Sequence, residues 1–374
     1  MAGIYIHIPF CKQACHYCDF HFSTTLKHKK RMVDAICSEL LLRKDEIQEE
    51  VQTIYFGGGT PSLLSSEEIE QLLDAVYEHY QVYQFPEITL EANPDDLSEA
   101  VIEKLAESKI NRLSIGVQSF FEEDLKLMNR AHNAEEAIRC IELSKKHFEN
   151  YSIDLIYGIP NMTEGRWMEN VRKALSFEVP HISCYALTVE PKTALHKFIE
   201  KGVVPPVDDE LAQKHHELLV EAMEQAGFDN YEFSNFGKPG FYSENNMAYW
   251  HGESYLGVGP SAHSYDGESR SWNVSNNSKY MIAIEDENLP LEREALTKQD
   301  QYNEYVMTRL RTMWGISLEE VTELFGAEYY DYLLQQAQSL IEKQLLFLDD
   351  EILIVTRKGK FLSDGIASDL FKLR

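Results

Sequence analysis

Six short apolar runs alternate with amphipathic segments over the first 190 residues, and this pattern limits the fold more than any other feature of the chain. The runs cover residues 3–8, 53–57, 87–91, 112–117, 151–157 and 181–187. Clear helical periodicity separates them at 29–45, 67–80 and 134–147, and Ser65 with Glu68 forms a capping box before the second of these helices. Strands that alternate with helices predict an α/β fold with a parallel sheet and right-handed crossovers.

The remaining chain has a different texture. Pro205 and Pro206 mark a break before a helix over 211–225, and residues 228–275 are rich in Gly, Asn, Ser and aromatics, which predicts loops and short strands. Helical patterns at 299–313, 318–325 and 329–343 precede a hairpin (345–348 and 352–355) and a last helix from 358. We expect three regions: 1–205, a barrel extension and loop-rich segment at 206–277, and a smaller, mostly helical, winged-helix-like domain at 278–374.

Composition limits the partners of the chain. Its 62 acidic and 35 basic side chains give a net charge of −27, which repels a phosphate backbone and argues against a nucleic-acid partner. No apolar run approaches the length of a transmembrane helix. The six cysteines do not form a disulfide framework, because three are clustered and Cys37, Cys140 and Cys184 are scattered through periodic segments. Reduced thiols and the absence of a signal peptide predict a cytoplasmic protein.

The three clustered cysteines, Cys11, Cys15 and Cys18, have C-x3-C-x2-C spacing directly after the first strand. Thiolates at such short spacings hold iron–sulfur clusters, and three of them leave one iron of a four-iron cluster without a protein ligand. That open iron can bind a small molecule. Two alternatives are a zinc site, with His16, His21 or Asp19 as the fourth ligand, and three buried thiols.

The cysteine spacing, together with the Gly57-Gly58-Gly59-Thr60-Pro61 turn after the second strand, resembles the radical S-adenosylmethionine (SAM) superfamily. The resemblance implies a (β/α)6 partial TIM-like barrel with a [4Fe–4S] cluster on Cys11, Cys15 and Cys18. It also implies that SAM chelates the open iron, and that an electron from the cluster cleaves SAM to a 5′-deoxyadenosyl radical. Glycine suits such a turn, because backbone without a Cβ allows close approach.

Longer segments resemble the HemN/HemW family, which comprises oxygen-independent coproporphyrinogen III oxidases and related heme chaperones. They are residues 5–11, 56–61, 91–94 (Glu-Ala-Asn-Pro), 114–120, 154–160 and 257–263. By this resemblance SAM contacts Tyr5, Gly58, Gly59, Thr60, Glu91, Gln118, Arg130 and Asp154. A carboxylate can accept from ribose hydroxyls, and an amide can both donate and accept. Arg130 has an alternative partner in the surface acid Glu123. Tyr5 and His7 share one strand face, so both can reach the cluster, and His7 can equally be a hydrogen-bonded core histidine.

Two places separate the branches of this family. Oxidases have x-Cys after the third cluster cysteine, whereas Asp19-Phe20 follows Cys18 here and resembles the chaperone branch. Residues 245–250 (Asn-Asn-Met-Ala-Tyr-Trp) resemble the chaperones' H-N-x-x-Y-W heme-binding motif, which makes Asn245, Tyr249 and Trp250 candidate heme contacts. Asn245 replaces the expected imidazole, and an amide is a poor ligand for heme iron. His251 and His263 are alternative ligands, and Tyr249 with Trp250 can instead fill a core.

The resemblance therefore implies a SAM-cleaving heme chaperone that binds heme and passes it to an acceptor protein, in this family a membrane respiratory protein. An electron donor must reduce the cluster. The alternative is an oxidase that decarboxylates the propionates of coproporphyrinogen III. A radical tRNA-modifying enzyme is disfavoured by the charge and by the lack of a basic RNA-binding appendage.

Overall fold

The computed structural model describes residues 2–373, and its central element is a set of six parallel strands in sequence order. They are β1 (Ala2–Ile8), β2 (Val51–Gly58), β3 (Val82–Ala92), β4 (Arg112–Gln118), β5 (Asn150–Tyr157) and β6 (His181–Ala186). Each strand is parallel to the next along the chain. The predicted α/β fold with six strands alternating with helices is confirmed.

Helices connect these strands. They are α1 (Lys29–Leu42), α2 (Ser66–His79), α3 (Glu99–Glu107), α4 (Glu122–Leu127), α5 (Ala134–His147) and α6 (Glu164–Ser176). The predicted capping box forms at α2, where the Ser65 side chain accepts from the Glu68 backbone and the Glu68 side chain accepts from the Ser65 backbone. Because the strand order never reverses, right-handed crossovers place all these helices on one face of the sheet.

The two faces of the sheet differ in polarity. Ile4, Ile6 and Ile8 of β1 are buried in the apolar core with the helices. The alternate positions of the six strands carry polar side chains, several of which are fully buried, such as Thr89, Ser152 and His181. Since successive side chains of a strand point to opposite faces, the face without helices is a buried polar interior.

The sheet continues beyond the six strands at both edges. After α7 (Ala194–Glu200) and α8 (Asp209–Gln225), strands β7 (Asp229–Glu232) and β8 (Asn235–Gly237) extend the β6 edge. Following α9 (Glu244–Trp250), β9 (Ser254–Val258) pairs parallel with β1. The β1 edge then continues through β10 (His263–Tyr265), β11 (Ser269–Asn273) and, after α10 (Asn277–Glu285), β12 (Leu291–Ala295). Strands β1 to β12 therefore form one twelve-stranded mixed sheet.

Helix α9 lies where the sequence predicts loops and short strands. Its first turn is held by Glu87 of β3, whose carboxylate accepts from the backbone N–H of Glu244 (3.0 Å) and of Asn245 (3.1 Å). Ser243 caps the helix by accepting from the N–H of Asn246 at 3.3 Å. The first-turn donors of a helix need acceptors, and this helix finds one 158 residues away in the sequence.

The C-terminal region forms a second apolar core that includes Tyr302, Val321, Leu340 and Ile366. Its elements are α11 (Lys298–Leu310), β13 (Ile316–Ser317), α12 (Leu318–Phe325), α13 (Ala327–Glu342), β14 (Leu346–Asp349), β15 (Ile352–Val355) and α14 (Ser363–Leu370). The predicted helical region with a two-stranded wing is confirmed, and β13 adds a short third strand. The boundaries at 205 and 277 stay predictions. Within residues 2–373, no helix is long and apolar enough to span a membrane.

Candidate functional site

The cysteine loop follows β1 and lies at the carboxyl end of the parallel strands, the end at which such folds collect their active sites. The loop is fixed at both ends by backbone hydrogen bonds. The N–H of Cys11 donates to the carbonyl of Ser23 (3.1 Å), and the N–H of His16 donates to the carbonyl of Met128 just after α4 (3.0 Å). Cys11, Cys15 and Cys18 are free, half-buried thiols.

The arrangement of the loop argues against a zinc site. Among residues 2–373, no group of three or more His, Cys, Asp and Glu side chains converges tightly enough to hold a single metal ion. His16 and His21 each use one ring nitrogen in a hydrogen bond, which leaves the other nitrogen free: Nδ1 of His16 lies 2.8 Å from the Leu127 carbonyl, and Nε2 of His21 lies 2.6 Å from Oδ1 of Asn277. A four-iron cluster tolerates wider separation of its thiolates, because each binds a different iron.

The surroundings of the thiols fit a cluster. The pKa of Cys18 is raised to about 11, mainly by burial and also by the neighbouring Cys15 and Cys11 thiols, against the lowering effect of the Phe20 backbone N–H. Burial also raises the pKa of Cys11. Nη1 of Arg130 lies 3.4 Å from Sγ of Cys15 and can stabilise thiolate charge. Thiols that resist ionisation alone but have nearby donors become good ligands once iron is present.

The glycine turn packs against the end of β1. The N–H of Gly59 donates to the carbonyl of Ile8 (2.9 Å) and that of Thr60 to the carbonyl of Phe10 (2.7 Å). A Cβ on Gly59 would lie 2.6 Å from the Phe10 carbonyl oxygen, and Gly58 has a φ of +105°. Gly59 is thus required for close contact with the chain's own backbone and Gly58 for its positive φ, and the turn brings Thr60 within hydrogen-bonding reach of the Cys11 thiol.

Tyr5 and His7 share the interior face of β1, as the alternation of the strand requires. Nε2 of His7 lies 3.1 Å from the carbonyl of His21 and donates to it, which leaves Nδ1 to accept from the Tyr5 hydroxyl at 3.3 Å. Burial lowers the pKa of His7 to about 4. His7 is therefore a neutral, hydrogen-bonded side chain beside the cysteine loop.

Two carboxyl groups lie on the interior face of the sheet, Glu91 on β3 and Asp154 on β5. The Tyr55 hydroxyl donates to Oε1 of Glu91 at 2.8 Å, and the Ser114 hydroxyl donates to Oδ1 of Asp154 at 3.5 Å. The pKa of Glu91 is raised to about 7, mainly by burial and also by nearby Asp154. Burial also raises the pKa of Asp154 to about 6. Two desolvated acceptors of this kind suit a ligand that carries hydroxyl groups and positive charge.

Arg130 connects the carboxylate side of the site to the cysteine loop. Its Nη2 donates to Oδ1 of Asn93 (2.5 Å) and to the carbonyl of Gly116 (2.9 Å). Its Nε is buried without a partner among the described residues. The alternative pairing of Arg130 with Glu123 is not observed, because Glu123 pairs with Arg166. The guanidinium thus faces the interior and keeps one donor for a ligand.

Gln118 ends β4 in a strained conformation. Its φ is +66°, in the left-handed region that non-glycine residues rarely adopt, and the residue is buried. A Cβ added at Gly116 would lie 2.8 Å from Nε2 of Gln118 and 3.1 Å from Nη2 of Arg130, so Gly116 makes room for both side chains. Strain of about 1–3 kcal/mol at such a position is typical of functional sites.

Two residues of the site were missed by sequence reasoning. Tyr55 of β2 orients Glu91, and Asn93 accepts from Arg130 and donates to Oγ1 of Thr60 at 3.3 Å. The available signal was the spacing of two residues: Asn93 follows Glu91 by two and lies directly after the end of β3. Tyr55 also stacks on Tyr5, with ring centroids 6.0 Å apart. Gly57 permits this stacking, because a Cβ there would lie 2.9 Å from both rings.

The heme-motif residues lie at the opposite end of the sheet. Oδ1 of Asn245 lies 3.5 Å from Oγ1 of Thr53, near the start of β2, whereas Gly58 ends that strand. Five residues of strand separate the two positions by about 16 Å. The structure therefore groups the predicted SAM residues together and places α9 apart from them.

The aromatic residues at the end of α9 are not core residues. Tyr249 is 44% exposed, and no residue of α9 is buried. The Arg311 guanidinium lies over the Trp250 ring, 5.4 Å from its centroid. His251 is exposed and packs edge-on against Trp314 at 4.9 Å.

His263, the other alternative ligand, lies at the cysteine end of the sheet, where β10 begins. It is exposed, and its charge would lower the pKa of His7. The two alternative histidines are therefore at opposite ends of the sheet.

Comparison with known proteins defines the class. Residues 5–174 match the model of the Radical SAM superfamily, and residues 296–362 match that of the HemN C-terminal domain. The coproporphyrinogen III oxidase HemN from Escherichia coli has the same fold, with a TM-score of 0.87 and 24% identity over 99% of this chain and 90% of that chain. Fold and cysteine loop together define a radical SAM protein, a class whose cofactors are SAM and an iron–sulfur cluster.

Full-length relatives define the family. The heme chaperone HemW of Lactococcus lactis subsp. lactis is 34% identical over 97% of this chain and 95% of the relative. The heme chaperone HemW of Bacillus subtilis is 33% identical over 98% of both chains. The chain belongs to the HemW family.

Proposed function

We propose that this protein is a heme chaperone that holds a [4Fe–4S] cluster and SAM, binds heme and transfers it to an acceptor protein. The observation that carries the proposal is similarity to heme chaperones over nearly the whole length of this chain and of each relative. The same fold occurs in a coproporphyrinogen oxidase, but likeness at 24% identity supports the fold alone. The Asp19-Phe20 pair after the last cluster cysteine supports the chaperone branch.

The residues grouped at the carboxyl end of the strands have distinct tasks in this proposal. Cys11, Cys15 and Cys18 would hold three irons of the cluster, which would supply the electron for reductive cleavage of SAM. Glu91 and Asp154 accept from the ligand's hydroxyl groups. Arg130 orients the ligand through its unpaired Nε and stabilises the charge of the Cys15 thiolate. In this proposal SAM also contacts Tyr5, Gly58, Gly59, Thr60 and Gln118.

Heme binds in this proposal against the exposed end of α9, where Tyr249 offers an aromatic face to solvent. The amide of Asn245 cannot supply the usual iron ligand, and its side chain lies against Thr53. His251 follows α9 directly and is exposed, so it is the nearest imidazole in the sequence to this surface. Trp250 is already covered by Arg311 on one side and has the smaller free face.

The proposal also includes the type of acceptor protein and the cellular location. The acceptor is a protein that takes up heme, in this family a membrane respiratory component, and the location is the cytoplasm, where thiols stay reduced. Six free cysteines support a reducing compartment.

The test compares chaperone with oxidase directly. Anaerobically reconstituted protein is given SAM, a reductant and coproporphyrinogen III, and products are measured by mass. We expect no decarboxylation, together with cleavage of SAM to 5′-deoxyadenosine. Loss of two carboxyl groups per substrate would identify an oxidase instead. Glu91→Gln is the control, since it should slow SAM cleavage at limiting SAM and leave the cluster absorption intact.

Heme binding is tested by titration at the Soret band. Tyr249→Ala should weaken heme binding about tenfold, because an aromatic contact on a binding surface contributes about 1–2 kcal/mol. Tyr83→Ala is the matched control, since Tyr83 is 40% exposed on β3 and lies outside the motif. Equal affinity of both variants and the wild type would place heme elsewhere on the molecule.

A further inference from the structure

The segment that runs from the cysteine loop into the first turn of α1 has the opposite charge to the rest of the molecule. Residues 11–31 contain five basic side chains and one acidic side chain, Asp19, in a chain whose net charge is −27. The segment therefore has a formal charge of +4. An electrostatic asymmetry of this size at one end of a strongly acidic protein directs the approach of charged partners.

Only part of this charge is free. Three of the basic residues form ion pairs within the chain: Lys12 with Asp95, Lys29 with Glu68 and Arg31 with Glu285. Lys27 and Lys30 are exposed and form no ion pair among the described residues. With exposed Asp19, which also forms no ion pair there, these two lysines leave a net charge of +1 near the cysteines.

Two exposed apolar side chains lie in the same segment. Phe20 is 70% exposed and Leu26 is 42% exposed. Phe20 follows Cys18 by two residues, and the hydrogen bond between Cys11 and Ser23 holds the segment against the cysteine loop. Lys27 is four residues past Ser23, which limits their Cα separation to about 14 Å. We define Phe20, Leu26, Lys27 and Lys30 as the cluster rim.

We propose that the cluster rim is the docking surface for an acidic one-electron carrier protein that reduces the cluster. The proposal rests on the cluster assigned above to Cys11, Cys15 and Cys18. In the transfer, one electron leaves the reduced flavin or iron–sulfur group of the carrier and enters the cluster, which changes from the 2+ to the 1+ state. No bond or proton is exchanged.

Charge and position favour a protein over an anionic membrane. Lipid recognition typically uses four to eight basic residues at about 1 kcal/mol each, and the rim offers only Lys27 and Lys30. The net negative charge of the molecule repels an acidic carrier, and the local positive charge of the rim favours its approach there. The rim also borders the cysteines, so a carrier bound there is near the group it must reduce.

Binding is measured first with a defined probe, an oxidised acidic plant-type [2Fe–2S] ferredoxin carrying a fluorescent label. Lys27→Glu/Lys30→Glu should weaken its binding at low salt by about tenfold or more and remove most of the salt dependence. The matched control is Lys44→Glu/Lys146→Glu. These exposed lysines follow or end α1 and α5, at the far end of the sheet, and the change in net charge is identical. Equal loss in both double variants would refute a local docking surface.

Reduction kinetics give the second readout. Bleaching of the cluster absorption near 400 nm is followed with prereduced ferredoxin and, separately, with dithionite. The rim variant should react about tenfold more slowly with ferredoxin and at the wild-type rate with dithionite. Phe20→Ala should also slow the ferredoxin reaction while leaving its salt dependence unchanged, since it removes apolar contact alone.

The remaining outcomes decide against the proposal. An unchanged ferredoxin rate in the rim variant overturns it, and loss of binding to phosphatidylserine vesicles in that same variant would assign the rim to a membrane. Failure to form a cluster in the wild type removes its basis. Heme binding and transfer are read without reduction of the cluster, so failure of the chaperone function is distinguishable from failure of docking.

Discussion

Ionisation of the buried carboxyl group of Glu91 lowers the stability of the folded protein, and replacement of Glu91 by glutamine tests this destabilisation. Burial moves the pKa of Glu91 from 4.5 to about 7. The folded protein therefore keeps this proton up to about pH 7, whereas the unfolded chain loses it near 4.5. Because the folded state binds more protons in that window, the free energy of unfolding falls as pH rises through it.

The size of the effect follows from the shift. At about 1.4 kcal/mol per pKa unit the full shift corresponds to about 3 kcal/mol. The residue retains some contact with solvent, which screens the charge, so we take about 2 kcal/mol. In Glu91→Gln the amide oxygen still accepts from the Tyr55 hydroxyl, and the packing is retained. The variant should therefore be more stable than the wild type by about 2 kcal/mol at pH 8.5.

The assay is thermal unfolding of metal-free protein between pH 5.5 and 8.5. The stability advantage of Glu91→Gln should grow by about 1 kcal/mol over this range, and Glu70→Gln, at an exposed position, should show no such trend. In the reconstituted protein, Glu91→Gln should weaken SAM binding about tenfold or more, since a hydrogen bond to a charged group contributes about 1.5–3 kcal/mol. A variant that is less stable than the wild type at every pH would refute this account of the site.

Three other changes test other parts of the structure. Cys15→Ala should abolish the ~400 nm absorption after anaerobic reconstitution, while Cys37→Ala keeps it; survival of the band at full iron content would refute the ligand assignment. Glu87→Ala should lower stability by about 3 kcal/mol, because it leaves Arg112 buried without its carboxylate, and hydrogen exchange should increase across α9; unchanged exchange there would contradict the anchoring role. Asn245→His should tighten heme binding and shift the Soret band, as imidazole supplies an axial ligand; an unchanged affinity and spectrum would place the site elsewhere.

Local patterns predicted the parallel strands well, because each strand contains its own signal. β1 and β4 follow runs of alternating or continuous apolar residues, and the predicted and observed bounds differ by one residue. The Ser65 capping box is also encoded within four residues. In each case the interactions that define the element are made by neighbours in the sequence.

Elements that depend on distant residues were not predictable in this way. β9 gives no sign in its own sequence that it pairs with β1, some 250 residues earlier. Helix α9 has few helix-forming residues, and it is stabilised by Glu87, which lies 157 residues before Glu244 in the sequence. Likewise, the role of Tyr55 depends on its contact with Glu91, and the positive φ of Gln118 follows from the tertiary structure. Tertiary contacts, which local propensity does not contain, decide these features.

The distance between α9 and the cysteine loop limits the possible relation of heme to SAM. A heme bound at Tyr249 would lie beyond the start of β2, about 16 Å or more from the glycine turn that ends this strand. A radical formed at the cluster reacts with atoms in contact with it, so such a heme is not positioned as a radical substrate. A porphyrinogen that is oxidised by SAM chemistry must instead enter the polar interior beside Glu91 and Asp154. Heme seated at α9 is therefore consistent with transport, and a porphyrin found beside these carboxylates would be consistent with catalysis.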